Sequence, residues 1–153
     1  MSRGKKILLA ILIIFIAIQF IRPEWNSSSA VQPADMVTQF NAPANVAAPL
    51  KTSCYDCHSN NTRYPWYANV QPVGWFLANH VKNGKEELNF NEFTVYSKRR
   101  QLSKLRSVQN SIKDGSMPLS SFTMLHNDAK LSEESKASIL EWTAKVIDSL
   151  SRQ

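Results

Sequence analysis

Hydrophobic and polar positions divide the chain into three stretches of different character. From Ile7 to Ile18 every residue is apolar, and after Gln19 the run resumes with Phe20 and Ile21. A run with no polar face predicts a helix that meets apolar surroundings on all sides. From Arg22 to Ala34, Pro23, Asn26, Ser27, Ser28, Ser29, Gln32 and Pro33 follow no apolar period, which predicts a flexible tether over residues 23–34. From Asp35 onward apolar residues recur at helical spacing without the alternation of a strand, so the class is all-α.

Within that last stretch, Ala42 to Thr52 reads as a short helix running into Cys54, and Asn60, Asn61 and Pro65 then break the chain. Pro72 suits the first turn of a helix through Val73, Trp75, Phe76, Leu77, His80 and Val81, stopped by Gly84. A third helix is expected from Phe93 to Lys113, with Tyr96, Leu102, Leu105, Gln109 and Ile112 near one stripe and Gly115 ending it. After a loop bearing Met117 and Pro118, Ser132 caps a last helix with Glu133 and Glu134 in its first turn. Its buried stripe is Ile139, Trp142, Thr143, Val146 and Leu150.

Charge sharpens the N-terminal picture. Arg3, Lys5 and Lys6 precede the apolar run, as in an export signal, and the nearest weak cleavage candidate, Ser28 to Ala30, lies well beyond it. The run is near the upper limit for a signal segment and short of the ~20 residues that span a bilayer. The expectation is an uncleaved signal anchor, a transmembrane helix over residues 1–22. Residues 35–153 then form a domain on the periplasmic side of the cell inner membrane, with Trp25 at the interface. Half of the net charge of +6 resides in residues 1–34, which leaves a mildly basic domain and no nucleic-acid charge pattern. The basic run Lys98, Arg99, Arg100, Lys104 and Arg106 reads as the solvated face of a helix.

The chemistry sits in Cys54-Tyr55-Asp56-Cys57-His58, which holds both cysteines of the chain. Cys-x-x-Cys-His is the attachment signature of c-type haem: two thiols add to the two vinyl groups, and the adjoining histidine becomes the proximal iron ligand. A thioredoxin-like redox pair would need a βαβ setting, which is not seen. A zinc site would have to recruit His80 or His126 at spacings that match no finger, and a disulfide across two residues is strained. Met117, followed by Pro118 in a loop between helices, is the first candidate for the second axial ligand, with His80 and His126 as alternatives. Tyr64, Trp66, Tyr67, Trp75 and Phe76 are expected in the core, some of them walling the haem, and the carbonyl of Pro65 is a candidate acceptor for the free ring N–H of His58.

Residues 53–131 resemble the Bacteroidetes-type haem-binding domain family. The resemblance is carried by Cys-Tyr-Asp-Cys-His-Ser-Asn at 54–60, Tyr-Pro-Trp-Tyr at 64–67, Pro-Val-Gly-Trp at 72–75, Leu-Asn-Phe-Asn-Glu-Phe at 88–93, Met-Pro-Leu at 117–119 and the string from His126 to Leu131. Asn91 departs from it, standing where a serine is expected. The resemblance implies a small cytochrome c-like domain and haem binding, without implying a reaction. The expected function is that of a non-catalytic electron carrier with one covalent haem c, exchanging electrons with redox partner proteins. The alternatives keep the sixth iron position open: a peroxidase-like enzyme with His80 or His126 as acid/base, or a gas or redox sensor module.

Overall fold

A computed structural model describes residues 1–152, which are helical with no strand. The helices are α1 (Arg3–Ile18), α2 (Met36–Gln39), α3 (Ala44–Ser53), α4 (Tyr55–His58), α5 (Val73–Glu87), α6 (Lys98–Lys113), α7 (Ser120–Leu125) and α8 (Glu133–Arg152). Single 3₁₀ turns intervene at Trp66–Asn69, Phe90–Val95 and Asn127–Ala129.

Three of these helices build the core for the reason the sequence suggests. Ile139, Trp142, Thr143, Val146 and Leu150 recur at three- and four-residue spacing and are buried along one stripe of α8. That stripe packs on α3, through Val46 and Leu50, and on α6, through Leu105 and Ile112. Met36, Phe90 and Phe93 fill the remaining space. The N-terminus of α8 is capped by Ser132, whose Oγ accepts from the Ser135 N–H at 3.1 Å. Gly115 ends α6 with φ +73°, the left-handed conformation that glycine adopts without strain. The Met117 N–H then donates to the Ser111 carbonyl at 3.1 Å, folding Met117 back over the end of α6.

Two predicted boundaries shift. Gly84 does not stop α5, which runs on to Glu87. The third predicted helix splits, because Phe90–Val95 forms a 3₁₀ turn and α6 begins after Ser97, whose side chain caps the Arg100 N–H.

The N-terminal segment also differs from expectation. α1 is apolar, but it covers 16 residues, about 24 Å at 1.5 Å per residue, against a bilayer core of about 30 Å. Among the described residues no helix is long and apolar enough to cross a membrane, so the expected transmembrane helix is not found. The helix ends because Gln19 turns to the domain: its Nε2 donates to the Gln71 carbonyl, and its Oε1 accepts from the Gln71 N–H at 2.9 Å. The segment after it, expected as a flexible tether, lies against the domain as a strap. Trp75 Nε1 donates to the Ile21 carbonyl, and the Trp25 ring meets Tyr64 edge-on at 4.0 Å. Asn26 donates through its backbone N–H to Tyr64 and through Nδ2 to Ser59 and Thr62, and its Oδ1 accepts from Lys85 Nζ at 2.7 Å.

Candidate functional site

Cys54 joins α3 to α4, and the motif closes as a single helical turn in which the His58 N–H donates to the Cys54 carbonyl at 2.9 Å. The two residues between the cysteines fix that turn from outside. The Tyr55 ring stacks on Phe90 with centroids 5.0 Å apart, and its hydroxyl donates to Asp35 at 2.9 Å. Asp56 is buried and accepts from Arg63 three times, from the backbone N–H (3.0 Å), Nε (3.1 Å) and Nη2 (2.9 Å). Behind the turn, Asn91 donates from Nδ2 to Asp35 at 2.8 Å and accepts the Asn60 N–H on its Oδ1, also at 2.8 Å. The Asn91 amide thus bridges the loop after the motif to Asp35. Among the described residues no buried side-chain nitrogen or oxygen lacks a partner.

α5 closes on the motif at Gly84. A Cβ built there would lie 2.6 Å from the Cys57 carbonyl oxygen, so only glycine allows this approach. The end of α5 then supplies the partner of His58: Nδ1–H donates to the Leu88 carbonyl at 3.0 Å. The candidate acceptor read from sequence, the Pro65 carbonyl, does not take this bond. With Nδ1 occupied, Nε2 is the nitrogen left to act as a base or ligand. Burial pulls the His58 imidazole below its ordinary value, against the raising effect of the Leu88 bond, and so favours the neutral ring. Burial also pushes the Cys54 thiol up to about 12 and the Cys57 thiol up to about 11. Both sulfurs are free and protonated, the opposite of the low-pKa thiolate of a redox-exchange pair.

These groups meet in a crevice made of two adjoining cavities. One, of about 210 Å³, is lined by Cys54, Cys57, His58, His80, Met117 and Phe122, among others. The other, of about 120 Å³, shares Cys54, His58 and Met117 and adds Leu88, Phe90, Val108, Ile112 and Leu131. The structure therefore brings Cys54, Cys57, His58 and Met117 together, with His80 beside them. His80 Nδ1–H donates to the Phe76 carbonyl at 2.9 Å, which leaves its Nε2 free. His126 is engaged elsewhere, its Nε2 hydrogen-bonded with the Tyr67 hydroxyl at 2.6 Å and its ring stacked on Phe122. Among the described residues no group of three or more His, Cys, Asp and Glu side chains could hold a metal ion by itself.

The walls correct part of the sequence reading. Trp66 is 80% exposed and Phe76 is also exposed, while Tyr64, Tyr67 and Trp75 are half-buried, so the aromatic cluster after the motif is not the core. The crevice is walled instead by residues from α6, from the 3₁₀ turn at Phe90 and from α7, a helix that carries no buried stripe to reveal it. Lys104, read as part of a solvated face, lines the smaller cavity, and its Nζ is paired with Glu87. The signal that was available is its position: Leu105, Val108 and Ile112 flank it on the apolar side of α6.

A family model described as a haem-binding domain matches residues 13–145, which takes in the end of α1, the strap, the motif turn and most of α8. No curated protein and no solved structure matches the chain.

Proposed function

Because this chain belongs to the haem-binding domain family, we propose that it carries one haem c, joined by thioether bonds to Cys54 and Cys57, with His58 and Met117 as axial iron ligands, and that it acts as an electron carrier. The observation that carries the reading is that both thiols, the adjoining His58 imidazole and the Met117 thioether line a single, largely apolar crevice, with the His80 imidazole beside them. A haem held there supplies a one-electron ferric–ferrous couple.

The chain's own groups suit each task. Cys54 and Cys57, as free thiols, would hold the group by thioether bonds, each thiol supplying both the sulfur and the hydrogen that addition to a vinyl group requires, with no added oxidant. The Leu88 carbonyl holds the His58 ring by Nδ1 and leaves Nε2 for iron, and hydrogen bonding to Nδ1–H raises the basicity of that nitrogen. Met117 contributes a soft sulfur, which favours the ferrous state over what a second imidazole would give. Leu88, Phe90, Val108 and Leu131 give the smaller cavity an apolar wall, and an apolar surround raises the potential of an iron held there. In the same proposal the domain sits on the periplasmic side of the cell inner membrane, where c-type haem is joined to protein. It is held at the bilayer by α1, whose apolar side chains are exposed and whose start carries Arg3, Lys5 and Lys6.

The test is to express the full chain with c-type maturation factors and record its pyridine haemochrome spectrum, a haem-stained denaturing gel and its optical spectra. A c-type haemochrome that survives denaturation is expected, with a sulfur-to-iron band in the oxidised protein that Met117→Ala removes. Five-coordinate ferric iron in the wild type would defeat the assignment of Met117 and favour the enzyme or sensor alternatives, for which peroxide turnover is the next measurement. The free Nε2 of His80 on the same cavity favours one second reading, bis-histidine ligation. That reading requires His80→Ala, and not Met117→Ala, to change the axial spectrum.

A further inference from the structure

A haem carries two propionate carboxylates, and a carboxylate set against an apolar wall requires a cation or hydrogen-bond donors. Among the residues lining the two cavities, Lys104 is the one cation. Its side chain is 17% exposed, so the stem is packed into the wall of α6 while the ammonium reaches the rim. There it is paired with Glu87, whose own side chain is 74% exposed and which also lines both cavities. Ser107 and Ser111, about one and two turns further along α6, add hydroxyls to the same wall.

Resting on the haem reading above, we propose that Lys104 is the cation that binds a haem propionate, and that Glu87 is the carboxylate it gives up when the haem enters. A carboxylate already sits on the Lys104 ammonium at the cavity rim, so the position is suited to that charge and geometry. The incumbent is weakly held, because an ion pair whose acid stands mostly in water adds little stability. A propionate on a ring fixed by Cys54 and Cys57 competes as an intramolecular partner with a high effective concentration. Glu87, once released, is solvated at little cost, whereas the packed stem of Lys104 stays where it is.

The experiment uses the haem-loaded full chain, with potentiometric titration and the propionate bending mode in resonance Raman as readouts. Lys104→Met is expected to move the bending mode and to lower the potential, because an unneutralised propionate stabilises ferric iron. A tenfold change in the oxidised-to-reduced ratio at fixed potential corresponds to about 59 mV for one electron. Lys104→Arg is expected to recover most of both. Glu87→Gln is expected to leave the bending mode near wild type, and Lys82→Met in the exposed Lys82–Glu86 pair of the same helix is expected to leave both mode and potential near wild type. If Lys104→Met and Glu87→Gln shift the potential by similar amounts in opposite directions with the bending mode unmoved, Lys104 still holds Glu87 and the inference is wrong. An unmoved bending mode and potential in Lys104→Met overturn it equally. Should Lys104→Met load too little haem to measure, Lys104→Gln, which keeps a polar side chain of similar reach, is read by the same two criteria. A wild-type chain without haem overturns the underlying reading and the inference together, and shows itself before any variant is made.

Discussion

The two sides of the crevice are held by different physics. On the far side α6 and α8 meet α3 through Leu50, Leu105, Ile112, Ile139 and Val146, an apolar contact without preferred direction. On the motif side, Asp35, Asp56, Asn89 and Asn91 are buried polar residues bonded to one another or to the motif and its neighbouring loops. Apolar packing tolerates small shifts and yields by degrees when atoms are removed. A hydrogen-bonded turn holds its atoms to a few tenths of an ångström and loses its register when one partner goes. The residues that must be aimed, Cys54, Cys57 and His58, lie on the directional side, and the far side contributes bulk and Met117.

The comparison can be broken in several ways, the most severe first. Cys54→Ala with Cys57→Ala removes both thiols the chain possesses, so haem staining on denaturing gels is expected to vanish, while either single variant keeps at most one thioether. A double variant that stains at full intensity would refute covalent attachment. Leu105→Ala, at a fully buried position of the apolar side, is expected to lower stability by about 3–4 kcal/mol in urea melts. The optical spectrum of the folded fraction is expected to stay unchanged. Asp56→Ala deletes the acceptor of three Arg63 bonds and is expected to cost about 2–3 kcal/mol, with a disturbed axial spectrum as well. If Leu105→Ala disturbs the spectrum and Asp56→Ala does not, the division of labour drawn above is reversed. Gly84→Ala forces α5 away from the Cys57 carbonyl and is expected to cost about 1–3 kcal/mol. Tyr67→Phe removes a hydroxyl from His126 at the edge of the site and is expected to cost no more than about 1 kcal/mol without touching the haem spectrum.

What could be read in advance follows the same division. α8 was legible because apolar burial leaves a period: its five stripe residues and its Ser132 cap stand in the sequence as they stand in the fold. The motif was legible because thiols and imidazole are rare and their spacing is chemically constrained. The supports of the motif were not. The partner of His58 is a backbone carbonyl, which has no residue type to announce it, and the Asp56–Arg63 contact pairs residues seven apart across a loop without a period. α7 escaped notice because it is six residues long and buries none of them. Gly84 reads in sequence as a helix stop, yet its missing side chain serves a close approach inside a helix, a distinction that depends on what lies opposite. The end of α1 at Ile18 was invisible within a run that stays apolar to Ile21, since Gln19 leaves the run for a partner 52 positions away.

Asn26 gives the strap a mechanical meaning. This one side chain joins the strap to Ser59 and Thr62, immediately past His58, and to Lys85 on the helix that carries Gly84. With Gln19 clamped on Gln71, the chain between α1 and the motif is braced at both ends. A displacement of α1 therefore pulls on bonds that end in the loop following His58 and on α5. Whatever receives α1 thus lies only a short, bonded stretch of chain from the Cys54–His58 turn.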